Sequence, residues 1–485
     1  MTLSVKNSPA EVRPTPLITP TPTALVIFGA TGDLSRRKLL PALFDLYRQG
    51  HFPTTWRIIG FSRDQYTTAS FRQFVEKIIT ARPEKHTASQ RADFLQKITY
   101  QPGQFEQGQS YLALSEELIR LETQEFGSCS NKLFYLAVPP TYYEVIFQNL
   151  AHSGLSIPCA GADGWTRVLV EKPFGKDLAT AQKLDQILGL LFKEEQIFRV
   201  DHYLAKEALQ NILAFRFANS IFELLWNNTN IAKVEIKFWE ELGVGERGAF
   251  YEDIGALRDV GQNHMLQMLA LIAMEDPGKL SAAAIRRKRT NVLKQLRPLT
   301  PADIRHHTVR GQYEGYRAET AVRAASDTET YFRFRAFVDN DRWQGVPFYL
   351  ESGKKMQENK TEIAIYFRES NTCLTQVAEE RHQNLLIFRI QPNEGISLVF
   401  WAKKPGFAMD LESKLLSFSY HDEYSLLLPD AYERVLFDCF RGDQTLFTST
   451  QEVKAAWKFI TPILEQWHSS PLLTYQSSSR GPKNK

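Results

Sequence analysis

Residues 199–207 read Arg-Val-Asp-His-Tyr-Leu-Ala-Lys-Glu and bring a carboxylate, an imidazole and an ammonium into close succession. His202 and Lys206 stand four apart, so on a helix they share one face and present two cationic donors side by side. Such a pair suits a phosphate dianion. The same residues also fit a plainer pattern, with Asp201 as a helix N-cap and Lys206 as a solvated lysine. A second candidate is the run Gly29-Ala30-Thr31-Gly32-Asp33-Leu34, which follows the apolar residues Ala24–Phe28. Gly29 permits a tight turn from strand to helix, and Gly32 lets backbone approach a pyrophosphate at the helix N-terminus, where free N–H groups favour anions. The next strand ends Gly60-Phe61-Ser62-Arg63. Ser62 and Arg63 suit the 2′-phosphate of NADP, although Asp64 leaves room for NAD as well. His264 lies in the apolar stretch Leu257–Met274. On spacing alone, a lone histidine there is ordinarily a core or boundary residue.

These residues need elements to hold them. Ala24–Phe28, Trp56–Phe61, Leu133–Val138 and Arg167–Val170 read as buried strands; Leu34–Gly50 and Ala179–Phe192 read as helices. Strands alternating with helices up to about residue 200 predict a doubly wound parallel sheet. Beyond that point, long helices are expected over Ala205–Trp226 and Gly255–Met274, with a strand over Ala232–Trp239 between them. Further strands are expected over Thr330–Val338, Val346–Leu350, Glu362–Phe367, Asn384–Ile390 and Ile396–Trp401, followed by a helix over Glu452–Trp467. Closely spaced short strands point to a mostly antiparallel sheet. The expected organisation is a proline-rich flexible tail over 1–23, a Rossmann-type dinucleotide-binding domain over 24–200 and a larger α+β domain over 201–485.

Composition narrows the function classes. The 485 residues carry 58 Lys and Arg against 55 Asp and Glu, a net charge of +3. So balanced a chain gives no bulk case for nucleic-acid or membrane binding. No apolar run reaches the roughly 18–20 residues of a membrane span, and the tail lacks the apolar core of a signal peptide. Cys129, Cys159, Cys373 and Cys439 are far apart and show no Cys-x-x-Cys pair or zinc spacing. The expectation is a reduced, cytoplasmic protein with no bound metal.

Residues 199–207 resemble the signature segment of the glucose-6-phosphate dehydrogenase family. Five other segments recur with it in the family's order: 29–34, Val-Glu-Lys-Pro-Phe-Gly (170–175), Arg-Asp-Val-Gly-Gln-Asn-His (258–264), Gly-Val-Pro-Phe-Tyr-Leu-Glu-Ser-Gly-Lys (345–354) and Pro-Asp-Ala-Tyr-Glu-Arg (429–434). The resemblance implies oxidation of glucose 6-phosphate at C1 with NADP as cofactor. It implies that His264 is the general base and that Asp201 is its carboxylate partner. His202, Lys206 and Tyr203 would hold the phosphate. Glu240 and Asp259 would accept hydrogen bonds from sugar hydroxyls, with Lys354 beside them. Lys172 would reach both nicotinamide and sugar. A homodimer or homotetramer is implied too. Two departures stand out. Asn359 occupies a position that is usually basic, with Lys360 next to it. Glu351 replaces the arginine that animal members carry at a second, structural NADP site, so no structural NADP is expected. Two rival readings are a dehydrogenase of unphosphorylated sugars, which needs no phosphate clamp, and a non-enzymatic nucleotide-binding paralogue, which has no need of His264, Asp201, His202 and Lys206.

Overall fold

The computed structural model describes residues 21–81, 86–159, 164–370, 382–423 and 429–483. Most of the proline-rich tail therefore lies outside the described residues, as does Cys373. The chain forms two compact units that interleave in sequence: Met1–Phe174 with Gln182–Ala205 and Leu428–Thr450, and Gly175–Ala181 with Lys206–Leu427 and Gln451–Lys485.

The first unit is built on a seven-stranded sheet. Strands β1 (Thr23–Phe28), β2 (Trp56–Ser62), β3 (Ile98–Pro102), β4 (Asn131–Leu136), β5 (Thr166–Val170) and β6 (Ile197–Val200) lie in the order β6-β5-β4-β1-β2-β3, with Phe447–Thr448 at the β6 edge. The labelled strands pair in parallel; only the edge pair with β6 is antiparallel. β1 and β4 are buried along their whole length, which is why Ala24–Phe28 and Leu133–Leu136 within them read as apolar runs rather than alternating ones. Strand order reverses at β1, and the crevice outside the carboxyl ends of β1 and β4 is where a doubly wound sheet binds its ligand. Helices Thr68–Thr80 and Gly108–Arg120 each bury a single narrow stripe, Phe71, Val75 and Ile79 in the first and Tyr111, Leu114 and Leu118 in the second. So narrow a stripe leaves only a weak apolar signal in the sequence.

The cysteines depart from expectation. Cys129 and Cys159 form a disulfide, with Cα atoms 6.0 Å apart, and Cys439 is free and buried. Cys129 precedes β4 and Cys159 precedes β5. These strands are parallel neighbours, so both residues start from the same edge of the sheet despite 30 residues of separation.

The second unit holds a nine-stranded sheet. Strands β7 (Ile231–Trp239), β8 (Thr308–Tyr313), β9 (Tyr331–Ala336), β10 (Phe348–Gly353), β11 (Lys360–Phe367), β12 (Leu385–Gln391), β13 (Gly395–Lys403) and β14 (Leu411–Ser419) run in the order β14-β13-β12-β11-β7-β10-β9-β8, with Leu472–Tyr475 beyond β8. The sheet is mostly antiparallel, as the sequence predicted, but β7 and β10 pair in parallel. β7 has one buried face, with Val234, Ile236 and Phe238, and one charged face, with Lys233, Glu235 and Lys237. The expected long helix over 205–226 is broken: a helix spans Glu207–Phe217 and a short turn spans Ser220–Glu223. Asn219 adopts extended geometry, and its side-chain amide donates to the Phe215 carbonyl, closing the helix end. Among the described residues, no helix is long and apolar enough to cross a membrane.

Candidate active site

The glycine turn at the end of β1 is shaped by its backbone. Gly29 has φ +79°, and a Cβ there would collide with the Ala137 carbonyl. A Cβ on Gly32 would stand 3.1 Å from the Gly29 carbonyl oxygen. The turn is tied by Gly29 N donating to Phe61 O at 2.8 Å, Gly32 N to Gly29 O at 3.0 Å and Ser35 Oγ to Gly29 O at 2.9 Å. Ala30 is fully buried, and Thr31 donates its hydroxyl to Asp64. Helical residues begin at Asp33 and Leu34 and continue through Ser35–Leu39 into Leu40–Arg48. The amides of a first helical turn have no intrahelical partner. With no side chain at Gly29 or Gly32 to fill the approach, this turn fits a dinucleotide pyrophosphate.

Ser62 is buried at the end of β2, and its Oγ accepts from Thr31 N at 3.4 Å. Arg63 is exposed. Its guanidinium donates to the Tyr142 hydroxyl at 3.2 Å and lies 5.4 Å and 5.6 Å from the Tyr142 and Phe105 ring centres. It is a planar cation held against aromatic faces, a good geometry for a phosphate. Of the run Arg36-Arg37-Lys38, the two arginines pair with Asp33 and Lys38 pairs with Asp430 at 3.2 Å.

The carboxyl ends of β5 and β6 carry the next group. Tyr135 donates to Glu171 Oε1 at 2.5 Å, and Tyr143 donates to the Glu171 carbonyl at 2.9 Å. Burial pushes the Glu171 carboxyl up to about 7, with the Tyr135 hydrogen bond and the Lys172 charge opposing the rise and the Asp201 charge adding to it. Lys172 follows at once, joined to Pro173 by a cis peptide. Asp201 is 2% exposed, and its Oδ1 accepts from Tyr203 N at 3.0 Å while Leu204 N donates to the Asp201 carbonyl. These bonds fold residues 201–205 into a turn, so the shared helix face expected for His202 and Lys206 does not form; the helix starts at Glu207. Within the turn, the His202 ring lies 4.9 Å from the Tyr203 ring and stacks on Tyr432 at 6.0 Å with an interplanar angle of 15°.

In the second unit, Lys206 precedes the helix Glu207–Phe217 and its Nζ lies 3.8 Å from Glu394. Glu240 and Lys354 come one residue after β7 and β10. Because these strands are parallel, with Trp239 opposite Gly353, the two side chains emerge together. Lys354 Nζ and Glu240 Oε2 are 2.6 Å apart. The Tyr475 hydroxyl donates to the Lys354 carbonyl at 2.7 Å, and Glu240 N donates to the Gly353 carbonyl at 2.9 Å. Asp259 and His264 sit on Leu257–Met265, a stretch of wide, π-type turns that runs into the helix Leu266–Ala273. Local π turns in helices often coincide with functional positions. His264 is 2% exposed, with its ring stacked 6.1 Å from that of Phe238 on β7.

This helix is anchored at both ends. Glu329 accepts from Leu257 N at 3.1 Å, and its carbonyl accepts from Ala256 N at 2.9 Å. At the other end the fully buried Arg216 donates to the carbonyls of Leu271, Ile272 and Met274, while Trp226 and Trp343 donate to Ile272 and Ala273. Sequence spacing offered no signal for these anchors, because they come from other elements. Asn359 is engaged locally: its amide donates to the Glu241 carboxylate and its Oδ1 accepts from Glu241 N. Lys360 pairs with Glu358 at 2.8 Å. A cavity of about 440 Å³ on the charged sheet face, lined in part by Lys233, Lys237, Arg333, His307 and Glu351, contains none of the candidate site residues. Among the described residues, no group of His, Cys, Asp and Glu is arranged to hold a metal ion.

Comparison with known proteins covers both units. Residues 26–211 match the family described as glucose-6-phosphate dehydrogenase, NAD binding domain, and residues 213–485 match its C-terminal domain. The glucose-6-phosphate 1-dehydrogenase of Chlamydia muridarum is 40% identical over 467 residues, covering 92% of this chain and 90% of that protein. The glucose-6-phosphate 1-dehydrogenase of Treponema pallidum is 42% identical over 484 residues, covering 95% of this chain and 92% of that protein. A solved glucose-6-phosphate dehydrogenase in complex with its substrate glucose 6-phosphate superposes with a TM-score of 0.87 at 33% identity, covering 95% of this chain and 96% of that one. On both the sequence and the fold, the chain belongs to the glucose-6-phosphate dehydrogenase family.

Proposed function

We propose that this chain oxidises D-glucose 6-phosphate at C1 to 6-phospho-D-glucono-1,5-lactone, with NADP as hydride acceptor, the first step of the oxidative pentose phosphate pathway. The observation that carries the reading is His264, buried on a helix anchored at both ends. Forming the lactone removes a proton from the C1 hydroxyl and a hydride from C1. A neutral imidazole accepts that proton well near neutral pH. His264 takes this role, and Asp201 is assigned as the carboxylate that orients the imidazole and stabilises the imidazolium formed. When bound, NADP supplies the nicotinamide carbon that receives the hydride.

The remaining residues bind and orient. Gly29, Ala30, Thr31, Gly32, Asp33 and Leu34 form the pyrophosphate turn; Ser62 and Arg63 hold the 2′-phosphate. His202, Tyr203 and Lys206 hold the 6-phosphate, a role for charge-assisted donors. Glu240 and Asp259 accept from sugar hydroxyls, and Lys354 and Lys172 place the sugar. Both Glu240 and Lys354 are assigned to the substrate, so their ion pair opens on binding. Held in this way, the reactants meet at high effective concentration. The same reading includes a cytoplasmic homodimer or homotetramer.

The test is NADPH formation from glucose 6-phosphate by wild type and His264→Asn. The variant is expected to lose a factor of about 10³ in kcat while still binding the sugar phosphate, measured by calorimetry. Full activity in the variant moves the base elsewhere; an inactive wild type refutes the substrate.

A further inference from the structure

The short helix Gly248–Glu252 buries Tyr251 to 2% exposure. Its hydroxyl is shielded from solvent and has no hydrogen-bond partner among the described residues. Buried hydroxyls without partners are costly, and folded proteins keep few of them. Phenylalanine would fill nearly the same volume, so it is the oxygen that needs a reason.

The surroundings supply one. The Lys354 ammonium lies 5.3 Å from the centre of the Tyr251 ring. Burial, and then the charges of Asp259, Glu329 and Glu240, hold the hydroxyl's pKa well above its ordinary value, so it remains a neutral O–H donor. The ring thus lies beside Lys354, and its hydroxyl feels the charges of Asp259, Glu329 and Glu240; of these four groups, all but Glu329 are assigned to the hexose. Glu240 and Asp259 are acceptors only when ionised, so a sugar hydroxyl that donates to them still has lone pairs to fill. Lys354 and Tyr251 are the donors at hand.

We propose that the Tyr251 hydroxyl is a hexose-binding donor, shielded in the ligand-free chain and released to a ring hydroxyl of the sugar when Lys354 leaves Glu240 for the substrate. The assignment rests on the functional reading above and adds one residue to it. It also gives the enzyme a means of discrimination: a sugar lacking that hydroxyl leaves the buried donor unpaired, which is how polar sites reject deoxy analogues.

The test compares wild type with Tyr251→Phe on glucose 6-phosphate and on its 2-, 3- and 4-deoxy derivatives. The variant is expected to raise KM for glucose 6-phosphate about tenfold, one hydrogen bond's worth. The loss falls on KM for the sugar and not on KM for NADP, and it vanishes with one of the three deoxy sugars. Thermal unfolding of the ligand-free variant is expected at the wild-type temperature or above, because the variant removes an unpaired group. An unchanged KM overturns the assignment. So does an equal loss with all three deoxy sugars, which shows the hydroxyl acting through the protein, or a fall in unfolding temperature, which shows that it already had a partner. Absence of wild-type turnover would remove the functional reading itself and this inference with it, an outcome the wild-type arm reports separately.

Discussion

Arg63 is the side chain we propose as the one on which coenzyme choice turns. Its guanidinium is anchored by the Tyr142 hydroxyl and two aromatic faces, so it is already oriented before a phosphate arrives. Arg63→Ala is expected to lower the NADP-to-NAD ratio of kcat/KM by about 10–100-fold, the scale of one charge-assisted contact. An unchanged ratio in steady-state assays with both coenzymes would sink the assignment. The glycine turn was legible in sequence because its shape depends on local backbone and adjacent residues. The link between Glu240 and Lys354 was not, because those residues are 114 positions apart and meet only through the parallel pairing of β7 and β10. His202 and Lys206 show the opposite error: a helical spacing is not a helix when Asp201 bonds the backbone of Tyr203 and turns the chain.

The helix Ala431–Arg441 carries Tyr432, on which His202 stacks, and also Glu433. Burial, then the charge of Asp45, raises the Glu433 carboxyl to about 7, against a hydrogen bond from Gln49. A carboxyl whose folded pKa lies above its ordinary 4.5 stabilises the fold fully only below that value. The contribution is then lost as pH rises to about 7. Glu433→Gln is therefore expected to raise the unfolding temperature at about pH 8 and to change it little at about pH 4.5. Equal effects at both pH values in calorimetry would refute the ionisation account. Glu252 has the reverse sign. Burial alone would raise it, but hydrogen bonds from Ser326, Arg323 and Tyr316 hold it at about 2. Its contribution is present above its ordinary 4.5 and fades as pH falls towards 2. Neither sign could be read from composition, since both depend on what surrounds the carboxyl.

Across the whole molecule, the charged face of the large sheet bears on coenzyme stoichiometry. Glu351 on β10 accepts from the Tyr331 hydroxyl at 3.0 Å, and Glu235 on β7 holds Lys233 at 2.6 Å and Lys237 at 3.3 Å. The cations of this face are thus partly matched by its own carboxylates. Titration of the full chain with NADP is expected to give one site per chain; two would show that Glu351 does not exclude a second nucleotide. Phe447–Thr448 joins the first sheet beside β6 although in sequence it lies between β14 and Leu472–Tyr475, both strands of the second sheet.

Short-range physics made much of this protein readable from its residues. An apolar run predicts a strand covered on both faces, as over Ala24–Phe28 and Leu133–Leu136, and a glycine turn before a helix predicts a phosphate cradle. The period of Leu257–Met274 predicts the helix that bears His264. Long-range pairing decided the rest: the anchoring of that helix by Glu329, Arg216, Trp226 and Trp343, the joining of Cys129 to Cys159, and the burial of the Tyr251 hydroxyl without a hydrogen-bond partner among the described residues. Periodicity reports which face of an element is apolar. It does not report which element will cover that face, and it is the covering element that sets burial, hydrogen-bond partners and the charge a buried group carries.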